Sequence, residues 1–223
     1  MKPVSFIRTI ASILAACCLA LLASCAHAPM EARPGLAYTA VASWYGPGFN
    51  GKRTASGEVF DMDRPSAAHR TFPFGTKLRV TNPKTGKSVD VTVNDRGPFV
   101  AGRELDLSKA AAFEIGALST CAVHIEVLGR DTSYVKTVKL APTPGRGAFR
   151  VQIGSFTDAS NAERLKMGLE ISHDNVRISR ATVGGRLFNR VQLGSFKDKD
   201  DAMELARSLA DEGYDTLLVR DRN

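Results

Sequence analysis

Cysteine is nearly absent from this 223-residue chain once its first 25 residues are passed: Cys17, Cys18 and Cys25 cluster at the start, and Cys121 stands alone thereafter. A single thiol excludes an intramolecular disulfide framework. Its place in the alternating, strand-like run STCAVHIEVLG makes it a small buried hydrophobe rather than a nucleophile. Histidine is scarce too. Only His69 and His124 fall in the middle of the chain, and neither belongs to a ligand-spaced cluster, so no metal and no other cofactor is expected. There is no G-x-S-x-G elbow to carry a Ser/His/Asp nucleophile. An excess of one charge is also missing. Residues 39–145 hold 14 basic against 10 acidic side chains and residues 146–223 hold 13 against 12, too even a balance for a nucleic-acid stripe.

What the first residues do contain sets the compartment. Lys2 and Arg8 precede an apolar run from Thr9 to Leu22, too short and too early for a comfortable membrane span but suited to a secretory signal. The run ends in Leu22-Ala23-Ser24-Cys25, a small-residue cleavage site with a cysteine directly after it that resembles the lipobox of bacterial lipoproteins. This implies a signal peptide over 1–24, a lipid on Cys25 and membrane anchoring without a transmembrane helix. Leu14-Ala15-Ala16-Cys17 fits the same pattern with a meagre apolar core before it, so Cys17 stands as the alternative. Ala26 and His27, not Asp, follow Cys25, which by the usual sorting tendency points to the outer membrane. An exported domain with a slight basic tilt is drawn to anionic envelope polymers.

The rest divides in four. Residues 25–38, with Pro29, Pro34 and Gly35, read as a tether. Residues 39–139 form a first domain, the Pro/Gly stretch LAPTPGRGA at 140–148 is a linker, and residues 149–223 form a second domain. In the first domain VASWYG, KLRVTN, SVDVTVND and VHIEVLG alternate or are β-branched. Pro83-Lys84-Thr85-Gly86 turns between two of them to make a hairpin, and one helix is expected over Lys109–Ile115, capped by Ser108 and ended by Gly116. Many short strands and little helix predict a closed, mainly β barrel. The second domain repeats itself at an offset of 40 residues: Val151–Phe156 returns as Val191–Phe196, Asp158 as Asp198, Ala162 as Ala202, Leu165 as Leu205 and Leu169 as Leu209. Each unit is strand, amphipathic helix, strand. Two units make a small α+β βαββαβ domain of ferredoxin-like type, with both helices on one face and the other face left to bind.

Three acid/base side chains lie in turn-rich contexts of the first domain: Glu58 in TASGEVF, His69 in SAAHRTFPFGT and Asp95 in VNDRGPF. Such residues on loops of a small β-scaffold are the ingredients of an acid/base site. Each also has a plainer reading: Asp95 as a turn cap, Glu58 as a solvated loop residue, His69 as a structural histidine. Arg96 can hold the Asp95 loop by bonding to carbonyls. Trp44 and Tyr45, in SWYGPG, either stack on sugar rings or pack in the core. In the second domain Gln152 and Gln192 alternate with apolar neighbours and so point to the open face, where with Ser155, Ser195 and Arg190 they can bond to sugar hydroxyls or simply meet solvent.

Taken in order, ASWYGPGFNGKRTASGEVFD, AAHRTFPFGT, LRVTN, VNDRGPF and GRELDLSKAAA closely resemble the rare lipoprotein A family, whose core is a double-psi β-barrel. The repeat domain resembles the SPOR domain. The resemblance implies a lytic transglycosylase that cuts the β-1,4 bond between N-acetylmuramic acid and N-acetylglucosamine, with Asp95 as acid/base, Glu58 supplying charge and His69 orienting a carboxylate or a hydroxyl. It implies that SPOR binds peptidoglycan glycan strands stripped of stem peptides at division sites, with division-site proteins as possible partners. A glycan-binding lipoprotein without cleavage is the alternative.

Overall fold

The computed structural model describes residues 32–142 and 147–221, so the signal peptide, Cys17 and Cys25 lie outside the described residues. β1 (Ala37–Tyr45), β2 (Ser66–His69), β3 (Thr76–Thr81), β4 (Ser88–Asp95), β5 (Leu105–Ser108) and β6 (Cys121–Arg130) close a barrel in the order β1-β5-β2-β4-β3-β6. β1 runs parallel to β5 and β2 parallel to β4, while antiparallel β2–β5, β3–β4, β3–β6 and β1–β6 pairs complete the ring. Parallel neighbours cannot be joined by a tight hairpin, so the chain crosses over twice; the two interlocked crossovers make this a double-psi β-barrel.

Alternation builds its wall. In β3, Leu78 and Val80 are fully buried while Lys77 and Arg79 face out. In β4, Val89, Val91 and Val93 point in, and Asp90 faces out to receive Arg79 across the strands at 2.9 Å. The β3–β4 hairpin forms where expected, around residues 82–87. β1 begins at Ala37, and Gly35 and Leu36 already bond to Val127 of β6, so the last residues expected as tether belong to the barrel. β2 and β5 were not expected as strands. β2 is short, built of Ser, Ala, Ala and His, and buried on both faces, which removes any alternation from its sequence.

The expected helix is α1 (Lys109–Glu114). Ser108 Oγ accepts from the Ala111 amide at 3.3 Å and from the Ser66 amide at 3.2 Å, so one hydroxyl starts α1 and anchors β2. Ile115 caps the other end, and Gly116 takes the φ of +70° that follows many helices.

The C-terminal half is the expected βαββαβ domain: β8 (Phe149–Phe156), α2 (Ala159–Leu169), β9 (Val176–Val183), β10 (Arg186–Phe196), α3 (Lys199–Asp211) and β11 (Leu217–Arg220). The 40-residue repeat is structural. Asp158 and Asp198 cap α2 and α3 alike, accepting from the Ser160 and Asp200 amides at 2.8 and 2.7 Å. Both helices pack on β8 and β10, where Val151, Leu193 and Leu218 are cross-strand partners buried beneath them. The opposite face carries Leu217, Gln152, Gln192 and Arg177 in one cross-strand row. A further strand, β7 (Lys139–Leu140), pairs parallel with β11, so the expected division at 139/140 falls inside a strand of the second sheet.

Barrel and sheet domain meet directly. The Phe74 amide bonds to Glu212 O at 2.9 Å, the Phe74 ring meets Tyr214 edge-on at 4.8 Å, and Lys136 N bonds to Ala210 O at 2.9 Å. Replacing Ser108 with Ala orphans two buried amides at once. Ser108→Ala is therefore expected to cost about 1–2 kcal/mol, read as a lower midpoint in urea with an unchanged slope; a loss below about 0.5 kcal/mol would place both amides in contact with water.

Candidate active site

The site begins with the loop that leaves β1. Tyr45 stacks flat on Phe60 (4.3 Å, 16°) and meets Phe49 edge-on at 5.8 Å, which pins both ends of the loop. Within it, an Arg53–Val59 bridge and the Thr54 N to Glu58 O bond of 2.8 Å fold residues 53–59 into a small hairpin. Its tip is tied to the end of β4. Ser56 N bonds to Asn94 O at 3.2 Å, and Ala55 N bonds to Asp95 Oδ1 at 2.9 Å. The same hairpin brings Glu58 to the next residue along, where Glu58 Oε2 accepts from Asn94 Nδ2 at 2.7 Å.

The hairpin thus engages two neighbouring residues of β4, Asn94 through Glu58 and Asp95 through the Ala55 amide, and the two carboxylates differ in their surroundings. Glu58 is exposed. Asp95 is 5% exposed, and its Oδ1 accepts two amide hydrogens, from Ala55 and from Arg96 at 2.8 Å. Among the described residues its Oδ2 accepts none. Burial pushes the Asp95 carboxyl up, outweighing the amides of Ala55 and Arg96 and the nearby guanidinium groups of Arg164 and Arg96, which pull it down. A carboxyl biased toward its acid form, with one oxygen free to carry the proton, has the chemistry of a general acid.

His69 is placed differently. It ends β2, where Ala68 is the register partner of Asp95, so it does not lie in a loop. Its Nδ1 accepts from the amides of Thr71 and Phe72 at 3.2 and 3.0 Å, Nε2 lies 3.5 Å from the Tyr38 hydroxyl, and the ring stacks on Phe72 at 3.9 Å. Burial, then Arg96 and Arg70, hold its pKa down to about 3. The neutral ring staples the 69–72 turn, and neither nitrogen reaches Glu58 or Asp95. The structure therefore ties Glu58 to Asn94, the neighbour of Asp95, and sets His69 apart from both as a support of the 69–72 turn.

The aromatic pair separates in the same way. Trp44 donates to Leu118 O at 3.1 Å and packs edge-on against Phe113, away from the site, in the packing role. Tyr45 borders it. Its phenol is raised by burial and by the charges of Asp95 and Asp106. Arg96, expected to hold the loop through carbonyls, bonds to Phe72 O at 2.8 Å, but it is only 3% exposed and lies under the C-terminal domain rather than at an open mouth.

That domain supplies a wall which sequence reasoning missed. Phe156, Asn161, Arg164 and Leu165 face Arg53, Thr54, Ala55 and Asp95 across a void with no room for a water molecule. Arg164 lies 4.6 Å over the Phe49 ring. Nothing local in the sequence marks Arg164, which reads as part of the polar face of a helix. Beside the void, a pocket of about 350 Å³ opens between the 53–57 hairpin and β8; Gln152 and Ser155 line it. Gln192 sits in the next strand, its Oε1 accepting from Arg177 at 3.0 Å, and Arg190 is the register partner of Ser155.

Comparison with known proteins agrees with this architecture. A lytic transglycolase family model matches residues 38–127 and a SPOR domain model matches residues 145–220. The chain is similar to a "Probable endolytic peptidoglycan transglycosylase RlpA" of Synechocystis, 59% identical over 80 residues, or 36% of this chain and 25% of that one. It is 41% identical over 143 residues to the "Endolytic peptidoglycan transglycosylase RlpA" of Campylobacter jejuni, covering 56% and 52% of the two chains. Its match to the protein of the same name from Helicobacter pylori is 33% identical over 174 residues, covering 69% and 55%. The chain spans from a quarter to about half of the length of these relatives.

A histidine kept neutral by the fold has a sign that can be tested. Its folded pKa of about 3 lies below the ordinary 6.5, so its contribution is present above pH 6.5 and is lost as pH falls toward 3, at up to about 1.4 kcal/mol per pH unit. His69→Asn keeps an acceptor at the Nδ1 position and does not titrate. It is expected to be less stable than the parent at pH 7, with the gap closing as pH falls from 6.5 to 4 in parallel denaturant melts. A constant gap would contradict the buried neutral ring.

Proposed function

We propose that this chain, which belongs to the rare lipoprotein A family, is a lytic transglycosylase acting on the glycan strands of peptidoglycan. The observation that carries the reading is Asp95: a buried carboxyl biased toward its acid form, fixed through one oxygen by two amides and free at the other. In the reaction Asp95 gives its proton to the glycosidic oxygen between N-acetylmuramic acid and N-acetylglucosamine, and the bond from that oxygen to the muramyl C1 breaks. The carboxylate so formed takes the proton of the muramyl 6-hydroxyl as O6 bonds to C1. A 1,6-anhydro end is left, no water is consumed, and Asp95 returns to its acid form. Glu58, exposed on the adjoining hairpin, offers a negative charge to the oxocarbenium-like centre. His69 serves at one remove, by holding the turn behind Asp95, and Tyr45 offers a ring edge beside it.

The SPOR domain fits the recruiting role, taking glycan stripped of stem peptides on the sheet face that carries Gln152 and Gln192, with Arg190 and Ser155 alongside. A lipid on Cys25 would hold the protein in the periplasm at the outer membrane. The denuded glycan of the division septum would concentrate it there, near whatever division proteins make that substrate. The sequence of the signal supports Cys25 over Cys17. Cys25→Ser is accordingly expected to move the protein from the membrane to the soluble fraction of the cell envelope, and Cys17→Ser to leave it in place; the reverse pattern on fractionation would exchange the two assignments.

The decisive experiment incubates the soluble chain beginning after Cys25 with amidase-stripped peptidoglycan and looks for 1,6-anhydro ends by mass spectrometry. Asp95→Asn keeps the acceptor for both amides and is expected to lower product formation at least ~100-fold while still binding sacculi. Because the folded pKa of Asp95 is raised, its charge destabilises the fold at neutral pH. The same variant is thus expected to melt higher than the parent at pH 7, with the advantage lost below pH 4. Tight binding without product from the parent chain would leave a glycan-binding lipoprotein.

A further inference from the structure

Asp95 is shut in. It is 5% exposed, and the void beside it has no room for a water molecule, whereas a general acid must come within about 3 Å of the oxygen it protonates. The wall that closes it belongs to the other domain: Phe156 at the end of β8, and Asn161, Arg164 and Leu165 on α2. One turn further along α2, Gly168 lies against Arg96; a Cβ built on it would be 3.1 Å from Arg96 Cβ and Cγ, its nearest neighbours. On the far side Arg96 Nε donates to the Tyr214 hydroxyl at 2.5 Å. We propose that the C-terminal domain is an intramolecular cap on the Asp95 site, and that the chain acts only when the two domains part.

The chemistry of the seam suits a cap that comes off. Its polar contacts are Arg164 over the Phe49 ring, Arg96 over the Tyr214 ring and bonded to its hydroxyl, and an outlying ion pair, Lys52–Asp158 at 3.8 Å, set beside buried Phe74, Tyr214 and Leu165. Inter-domain contacts of this polar kind separate readily. Each domain also keeps a core of its own. Leu78, Leu105, Leu107 and Ile125 fill the barrel, and Leu165, Leu169, Leu193 and Leu209 fill the sheet domain. The catalytic half of the proposal rests on the transglycosylase reading; the closure itself does not.

Gly168 provides the lever. Gly168→Trp cannot be seated while Arg96 lies against it, yet replacing a helix-interior glycine favours α2 itself. Met167→Trp, one residue along at a position 39% exposed, is the control. In the full soluble chain, hydrogen exchange at the Ala55 and Arg96 amides and the small-angle scattering radius report opening, and 1,6-anhydro ends report turnover. Gly168→Trp is expected to exchange faster at those two amides, to scatter as a longer particle and to form product at least ~10-fold faster, as when a minor open state becomes the major one. Met167→Trp should match the parent. A parent chain already extended in solution, or an opened Gly168→Trp no faster than the parent, would overturn the cap. If neither chain forms product, the transglycosylase reading fails, and exchange and scattering alone decide the closure. Should Gly168→Trp fail to fold, Gly168→Lys sets a wedge at the same place with a soluble side chain whose charge repels Arg96.

Discussion

The guanidinium of Arg96, buried where barrel and sheet domain meet, fixes the geometry on both sides. Its plane lies 3.8 Å from the Phe74 ring and 4.9 Å from the Tyr214 ring, and its nitrogens bond to Phe72 O and the Tyr214 hydroxyl. A bare buried cation would cost several kcal/mol. Here two ring faces meet the charge, in the geometry that makes cation–π contacts strongest when water is excluded. Nη2 is left without a hydrogen bond, the residual cost of this placement. The backbone of the same residue donates to Asp95 Oδ1. A single residue therefore sets the turn that presents Asp95, through its backbone, and holds the 69–72 turn behind it and joins the second domain to the first, through its side chain.

Around that cation the two carboxylates take opposite environments with little machinery. The 53–59 hairpin closes on itself, docks by two amides onto the end of β4, and leaves Asp95 inside and Glu58 outside. Burial raises Asp95 even though two amides and two guanidinium groups favour its charge. That balance matters for chemistry: without the amides the carboxyl would be free to rotate, and without burial it would be ionised. The amides orient the group while the low dielectric keeps its proton.

Much of this was legible in the sequence, and the reasons for the rest are physical. Strands with one face in and one face out, such as Thr76–Thr81 and Ser88–Asp95, announce themselves by alternation, and the helix after Ser108 by its cap. Ser66–His69 does not, because a four-residue strand covered on both faces has no period to read, and its alanines favour no sheet. That omission put His69 in a loop and gave it a site role, when its ring instead staples a turn. Asp95 and Glu58 were legible as loop and strand-end acids. The wall opposite them was not, since Arg96 and Tyr214 are 118 positions apart and no local pattern encodes such a meeting. The repeat gave the second domain its full topology, yet it is silent about which helix of the two faces the barrel.

The seam changes what a binding domain is for. In the simplest view a binding module raises the local concentration of its ligand at the domain it is joined to, a role that needs only reach. A module seated over Asp95 links two equilibria instead, since the surface that covers the acid has to leave before a sugar can enter. Any ligand that favours the parted state then raises the fraction of competent sites by its differential affinity for that state, and by no more. The pocket of about 350 Å³ between the 53–57 hairpin and β8 lies on this seam, and Gln152 on the SPOR side and Arg53 on the barrel side both line it. Recruitment and uncovering are then not separate tasks but the same contact seen from two domains.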